Sequence, residues 1–501
     1  MADYALMALL SGEVPRTTQD YLITTLAEQP AHMAADYAAL RHHVFVDSQA
    51  LFAHSDRDDA DTYPTTTVLV ATDADGRLLG GVRLAPVTDP DLGWWTGSRL
   101  VLSPEARGTG VGRALVRAAC AWVDANHVLR FEATIQRRYQ PMFSALGWTL
   151  LGHTEFGGAP HSRMRWPIDR FERQANSTKA ILGDLLRPLA QQQRGLGPAG
   201  FRGDDGVPVG DTGMIAACDA IIPSMVARDP EWAGWCSVLV NLNDLAAMGA
   251  TATGLLDAVG APTASQVTRI IRGLAAAAAA WGVPVLGGHT QVGVPAALSV
   301  TALGHTTDPV PGGGAKPGDA VTLTADLSGG WRPGYTGQQW DSTSRRESGD
   351  LRHLAGIVAH TRPHAAKDVS MAGLVGTVGM MAEASGLAAE ITVADVPRPT
   401  AAGTGEWFSC FPGFAMITAD RPGRPVTDPG PATSHTCGAL SHRAAHTPLV
   451  TLRWPDGETT SAIAGTVTGL APTTHHAICG ASAALNAAET PQITTNEQDI
   501  S

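Results

Sequence analysis

The apolar positions of this chain change period several times, and each change predicts a different element. Thr67-Val-Leu-Val-Ala-Thr72 and the stretch from Leu78 to Leu84 predict the two strands of a hairpin, joined by the turn Asp73-Ala-Asp-Gly76. Ser98-Arg-Leu-Val-Leu102 and Phe131-Glu-Ala-Thr-Ile135 predict two further strands. Between them, Val111, Leu115, Ala119, Trp122 and Val123 fall close to a helical period and predict a helix ending near Ala125. Ser237 to Ala250 predicts a second helix, and the alanine run from Ala275 to Ala280 lies in a third, stopped by Gly282 and Pro284. Ala180 to Leu189 predicts a short helix between two polar stretches, Arg170 to Lys179 and Gln191 to Gly203. The Pro- and Gly-rich segment from Asp308 to Gly318 predicts a connection between two lobes.

Composition narrows the classes. At 501 residues the chain is expected to hold two or three domains. Its net charge of −12 argues against nucleic acid or an anionic membrane surface as partner. No apolar run is long enough to span a bilayer, and the first ten residues lack the basic start of a signal peptide. The six cysteines, at 120, 218, 236, 410, 437 and 479, form no Cys-x-x-Cys pair and read as reduced thiols of a cytoplasmic protein.

The most informative stretch is Arg107-Gly-Thr-Gly-Val-Gly112, followed by Arg113, at the predicted strand-to-helix junction. Its glycines let backbone approach a ligand, and the free N–H groups of the helix start can hold phosphate. With the strand before it and the ending Gln136-Arg-Arg-Tyr-Gln-Pro-Met-Phe-Ser-Ala-Leu-Gly-Trp148, residues 1–168 resemble the GNAT N-acetyltransferases. The resemblance implies a mixed sheet with flanking helices. It implies an acetyl-CoA site made by Arg107, Gly108, Thr109, Gly110, Val111, Gly112 and Arg113. The strand residues Leu100, Val101 and Leu102 would serve the thioester carbonyl. Gln136 takes the place of the family's Asn, and Phe143 that of its Tyr. Phe cannot protonate a leaving thiolate, so the acid is Tyr139, or water alone, or catalysis is absent. Glu132 and Glu105 are the candidate bases, with Glu105 also placed to cap the helix.

Arg41-His-His-Val-Phe-Val46, Asp56-Arg-Asp-Asp-Ala-Asp61, Gly80 to Leu84 and Trp94 to Leu100 resemble the subgroup related to acyl-homoserine-lactone synthases, which includes the nitrogen-starvation N-acetyltransferases. The Asp56–Asp61 segment lacks the Gly and Glu of an EF-hand. It reads as a solvated acidic loop or as a selector of a cationic substrate.

Residues 201–488 carry a second ordered set: Gly203-Asp-Asp-Gly206, Asp219, Asn243-Asp244, Val285-Leu-Gly-Gly-His-Thr290, Lys316-Pro-Gly-Asp319 and Lys367-Asp-Val-Ser-Met-Ala-Gly-Leu374. Carboxylates from several segments can surround Mg²⁺ bound to polyphosphate oxygens. This order resembles the PurM (AIR synthase) superfamily, with thiamine-monophosphate kinases, selenophosphate synthetases and HypE proteins. The resemblance implies a two-lobed α+β region binding ATP and Mg²⁺. Asp204, Asp205, Asp219, Asp244 and Asp368 would hold the metal, and Asn243, Gly287, Gly288 and His289 would line the nucleotide site. His289 stands where the kinases have Asp. The absence of Cys-Gly and a nearby Lys before Gly203 excludes selenophosphate synthesis.

The whole is read as α/β and α+β. A GNAT domain (1–168) and a linker (169–200) precede an ATP-binding lobe (201–310), a second lobe (311–488) and a disordered tail (489–501). The expected function is an N-acetyltransferase fused to a Mg-ATP module acting on a small metabolite. The alternatives are a non-catalytic sensor of acyl-CoA and nucleotide, or a homoserine-lactone-synthase-like acyltransferase. A homodimer through residues 201–310 is expected, with the first domain hanging outside on its linker.

Overall fold

A computed structural model describes residues 20–470. The readings made for the N-terminus, for Cys479, for the end of the second lobe and for the tail at 489–501 lie outside the described residues.

The first unit is one seven-stranded sheet. Its strands are β1 (Leu22–Thr25), β2 (Thr67–Thr72), β3 (Leu78–Pro86), β4 (Trp94–Leu102), β5 (Arg130–Gln136), β6 (Thr149–Phe156) and β7 (Ala159–Trp166), in the order β1-β2-β3-β4-β5-β7-β6. Helix α1 (His32–His42) runs into a π-helical turn at His43–Ser48. Strands β4 and β5 pair in parallel, which requires a crossover, and α2 (Val111–Ala125) supplies it. The α2 stripe Val111, Leu115, Ala119 and Val123 is buried against the sheet. The β4–β5 pairing runs only from Trp94↔Arg130 to Gly97↔Ala133. Beyond it the two strands part, leaving a wedge bounded by Ser98–Leu102 and Thr134–Gln136.

The second unit is a five-stranded sheet built from β8 (Val207–Pro208), β9 (Met214–Ala220), β10 (Thr251–Ala261), β11 (Val285–Val292) and β12 (Ala297–His305), in the order β11-β10-β12-β9-β8. Helices α3 (Pro230–Ala247) and α4 (Ala264–Trp281) cover one face. They cross so closely that a Cβ on Gly234 would lie 2.1 Å from the Ile270 carbonyl oxygen, and one on Gly273 1.8 Å from that of Glu231. The other face is open in this chain: Cys218, Leu256 and Ala258 are exposed there, and edge strand β11 is exposed along its whole length.

The third unit holds β13 (Ala320–Ala325), the small pair β14 (Gly330–Trp331) and β15 (Trp340–Asp341), then β16 (Ala365–Asp368), β17 (Leu387–Thr392), β18 (Ala415–Asp420), β19 (Thr433–His442), β20 (Val450–Arg453) and β21 (Thr459–Ile463). Its main sheet has the order β16-β18-β13-β19-β17-β20-β21. Helix α6 (Gly373–Ser385) is buried along most of its length and forms the centre of the core, while α5 (Ser348–Thr361) lies toward the second unit. The fold class is therefore α/β plus a two-lobed α+β region.

The first unit does not hang on a free linker, which corrects the expected arrangement. Residues Arg170–Thr178, read as polar linker, form a helix whose Phe171 and Ala175 sit in the core of the third unit. Gln174 donates to the carbonyl oxygens of Met371 and Ser409, each at 2.9 Å. A charged cluster completes the docking. Arg130, with no side-chain exposure, donates to both Asp456 oxygens at 3.0 and 2.8 Å and to Glu458 at 3.1 Å, and its guanidinium lies 3.8 Å from the Trp94 ring centroid.

Candidate functional site

The wedge between β4 and β5 opens into a cavity of 590 Å³. Arg107 and Gly112 line it at the Gly loop, Leu100 and Leu102 in the wedge, and Phe45, Phe52, Phe156 and His161 toward α1 and the β6–β7 hairpin. The Gly loop turns through left-handed backbone at Gly108 (φ +79°) and Gly110 (φ +95°) and delivers the chain into α2. The first N–H groups of that helix have no acceptor within it and suit an anion. Thr109 turns its hydroxyl back onto the Ala106 carbonyl at 2.7 Å, and Val111 is buried in the core, so these two contribute backbone to the loop. Arg113 stands in the first turn of α2. Val101 faces away from the wedge, buried with Tyr37 and Val44.

Among the polar candidates, Gln136 lines the cavity and donates to Gln49 Oε1 at 2.6 Å. Tyr139 lines it as well, 44% exposed, with the Arg138 guanidinium 4.9 Å from its ring centroid. Phe143 is buried against Trp148, ring centroids 5.1 Å apart. Glu132 needs a correction. Its Oε1 accepts from Arg130 Nε at 2.8 Å and Arg165 Nε at 2.7 Å, and it belongs to the interdomain cluster rather than to the cavity wall. Held by these two arginines outside the cavity, its carboxylate does not face a substrate there. Glu105 is exposed in the turn before the loop.

The Asp56–Asp61 segment is only partly solvated: Arg57, Asp58 and Asp59 are exposed, but Asp56 is buried and arginines hold three of the segment's carboxylates. Arg41 bonds Asp56 at 2.6 Å and Asp61 at 2.7 Å, Arg83 bonds Asp58 at 2.5 Å, and Arg99 bonds Asp58 at 2.7 Å. Burial pulls the Asp61 carboxyl upward, but the hydrogen bonds from Arg41 and Arg83 hold it well below the usual carboxylate range. Three arginines thus pair with Asp56, Asp58 and Asp61, and Asp59 is left exposed beside them.

A second site lies between the second and third units. Asp205 follows the Gly203 turn, Asp244 rides near the end of α3, and Asp368 ends β16. Their carboxylate oxygens lie within 4.8 Å of one another. Burial, then the charges of Asp368 and Asp219, drive the Asp244 carboxyl well above its ordinary value; burial, then Asp205 and Asp219, do the same to Asp368. Two ionised carboxylates at this separation repel by roughly 3–4 kcal/mol at an effective dielectric near 20. Protons or a cation must therefore neutralise the group. Asp368 Oδ2 is buried without a hydrogen-bond partner, as a ligand atom awaiting a metal would be. An all-oxygen donor set fits Mg²⁺.

Asp204 takes a different role from the one expected. It accepts from Lys367 Nζ at 2.7 Å and from the Gly312 N–H at 2.5 Å, outside the triad. Lys367 also donates to Asp205 at 2.6 Å. Burial disfavours its charge, but Asp204 and Asp205 outweigh it and keep the ammonium protonated. Lys367 was missed as a site residue although it adjoins Asp368 in the motif. Asp219 stands at the rim, its N–H donating to Asn241 Oδ1 at 3.2 Å. Asn243 is corrected to a structural residue, since its amide donates to the Gly413 carbonyl at 2.8 Å. Gly287, Gly288 and His289 lie on β11, three strands from Asp219 on β9, so one chain does not bring them to the triad. A Cβ on Gly288 would collide with the Asp257 side chain, so that glycine serves close strand packing.

The sheets and sites define a two-part protein. One part is a wedge-sheet domain with a loop suited to pyrophosphate; the other is a pair of α+β lobes around a buried acidic triad. The comparisons identify both parts. The acetyltransferase (GNAT) family matches residues 36–148, the N-terminal domain of AIR synthase-related proteins matches 203–306, and their C-terminal domain matches 344–424. The chain belongs to the AIR synthase-related family, carried behind a GNAT-family domain. It is 32% identical over 238 residues to a thiamine-monophosphate kinase of Halobacterium salinarum, covering 44% of this chain and 81% of that protein. It is 32% identical over 241 residues to an uncharacterized protein of Synechocystis, covering 46% of this chain and 74% of that one. A selenide, water dikinase of Rhizobium meliloti is 29% identical over 203 residues, covering 37% of this chain and 56% of that enzyme. Among solved structures, T. maritima PurL complexed with ATP superposes with a TM-score of 0.48 at 16% identity, covering 69% of this chain and 56% of that one.

Proposed function

We propose that the chain is a bifunctional enzyme: an acetyl-CoA-dependent N-acetyltransferase fused to a Mg-ATP-dependent module, both serving a small metabolite. The observation that carries the second half is the meeting of Asp205, Asp244 and Asp368 from three distant segments at one buried point. These residues would hold Mg²⁺, which when bound supplies charge to the phosphate oxygens of ATP. Lys367 and Asp204 would fix Asp205 in place. The first half rests on the loop from Arg107 to Arg113 at the mouth of the wedge cavity. The loop and the α2 N-terminus would hold the pyrophosphate, and the β4 backbone from Leu100 to Leu102 would face the thioester carbonyl. Tyr139 is the phenol offered to the leaving thiol. No helix among the described residues is long and apolar enough to cross a membrane. We place the protein in the cytoplasm on the reading of its thiols as reduced.

We also propose a homodimer through residues 201–310. The open face of the five-stranded sheet and the exposed edge of β11 support it, because such surfaces are ordinarily covered or blunted. A sensor that binds both ligands and turns over neither is the second reading, favoured by the burial of Phe143 where a proton donor is expected.

Turnover tests the choice. The intact chain is incubated with acetyl-CoA and with Mg-ATP, each alone and then together, and its reaction with a cell metabolite extract is followed by mass spectrometry. Acetylated amine and ADP or AMP are the expected products. Binding of both ligands with no product establishes the sensor instead.

A further inference from the structure

The wedge cavity lacks the carboxylate base that its chemistry calls for. Glu132 is held by arginines outside the cavity, and Asp56, Asp58 and Asp61 are each bonded to arginine. What the cavity does contain is His161, 5% exposed, on β7. Its Nδ1 lies 2.8 Å from the Ala159 carbonyl oxygen. A carbonyl can only accept, so the neutral ring carries its proton on Nδ1 and leaves the Nε2 lone pair bare. Among the described residues no hydrogen bond or ion pair reaches that Nε2.

The position is built. His161 is the register partner of Gln136, the last residue of β5 at the wedge. The β6–β7 turn takes positive φ at both Gly157 and Gly158, and it rests so close to Leu51 that a Cβ on Gly157 would lie 2.6 Å from the Leu51 carbonyl oxygen. That contact holds the hairpin against the segment following α1. Aromatic rings surround this end: Phe156 lies 5.7 Å from the His161 ring and 5.3 Å from Phe52, and Phe45 lies 6.2 Å from Phe52.

We propose that His161 Nε2 is the proton acceptor for acyl transfer, and that the acceptor is an amine on an aromatic or apolar skeleton. This rests on the acetyltransferase reading given above. The amine nitrogen forms its bond to the thioester carbonyl carbon and gives up a proton to Nε2. The C–S bond breaks with its electron pair on sulfur, the thiolate takes a proton from the Tyr139 phenol, and the phenolate recovers one from the imidazolium. Amine and acyl thioester become amide and free thiol, and His161 returns to its starting state. The three phenyl rings supply apolar contact for the skeleton, and the Arg99 guanidinium, 4.7 Å from the Phe52 ring centroid, opposes a cationic one.

The test labels the intact chain with diethyl pyrocarbonate, which attacks unprotonated imidazole nitrogen, and maps the adducts by mass spectrometry. His161 is expected to be labelled, and labelling should fall about tenfold with acetyl-CoA at ten times its Kd. Exposed His43 should be labelled equally in both conditions. A His161 that stays unlabelled, or is labelled equally with and without acetyl-CoA, overturns the assignment. Thiol release is then followed with phenethylamine as acceptor. His161→Asn and His161→Gln should each lose about 100- to 10,000-fold in rate while calorimetry finds acetyl-CoA affinity unchanged. Equal rates in wild type and either folded variant overturn the proton role. No transfer to phenethylamine by a wild type that binds acetyl-CoA overturns the aromatic acceptor. A wild type that does not bind acetyl-CoA defeats the acetyltransferase reading itself.

Discussion

The two sites of this chain are made in opposite ways. The wedge cavity is made by backbone: two strands that part after four paired positions, a glycine loop and a bare helix start. Its acidic neighbours are neutralised by arginines, and its lining is largely apolar. The triad is made by side chains whose charges oppose one another inside the protein. A backbone site stands ready with or without ligand. A site of like charges stays strained until a cation or protons arrive, so it should report its ligand through stability. The comparison predicts that changes at the wedge alter affinity with little effect on folding, whereas changes at the triad alter both.

The largest effect is expected at the buried guanidinium of Arg130. Arg130→Ala should strip Asp456 of its arginine while Arg163 and Arg165 still hold Glu458 and Glu132, and cost about 3 kcal/mol, the low end for a broken buried pair because the carboxylates keep some water. Urea unfolding followed by tryptophan fluorescence measures it. A loss below about 1 kcal/mol would reduce the interdomain cluster to a surface contact. Next comes Asp368→Asn. It should abolish the rise in Tm that Mg-ATP gives wild type, worth about 2.7 kcal/mol at a hundred times Kd. The same variant should melt higher than wild type without metal, because one buried charge is gone. A metal-free Tm below that of wild type would contradict the strain argument.

Gly110→Asp is the matching change at the wedge. It sets a carboxylate at the helix start, on backbone at φ +95°, and should weaken acetyl-CoA by roughly 1–3 kcal/mol in calorimetry. Mg-ATP affinity should not move. The smallest effect is one of pH. The folded-state pKa values of Asp244 and Asp368 are raised, so the folded chain binds protons more tightly than the unfolded one there. Their contribution is fully present below the unfolded carboxylate value near 4. It is lost as pH rises through the raised folded values. Metal-free Tm should therefore fall over that interval, and Mg²⁺ should flatten the slope. A metal-free Tm that climbs instead would show another group in control.

The same contrast decides what the sequence made legible. Strands 67–72 and 98–102, the Gly loop and the helix after it were readable because each depends on local pattern and backbone freedom. The aspartates were readable as a set of motifs, but not their division. Asp204 and Asp205 are adjacent, yet only the fold sends one to Gly312 and Lys367 and the other to the triad. Glu132 sits on β5, one of the two strands that bound the wedge, which made it a candidate base. It meets Arg130, two residues before it on β5, and Arg165, its register partner on β7, and the docked third unit adds only Glu458 beside them. Arg170 to Lys179 looked like linker because its helix buries only Phe171 and Ala175. His161 carried no signal, since it lies in a hairpin with little apolar alternation and acquires its setting from Leu51 and the Phe rings.

The central claim is that one chain carries two separate ligand sites, one at the Gly loop and one at the triad. Calorimetric titration of wild type, Gly110→Asp and Asp368→Asn with acetyl-CoA and with Mg-ATP tests it most directly. The account predicts that Gly110→Asp loses acetyl-CoA affinity alone and Asp368→Asn loses Mg-ATP affinity alone. Retention of full Mg-ATP affinity by folded Asp368→Asn, or loss of both ligands in either folded variant, would contradict it.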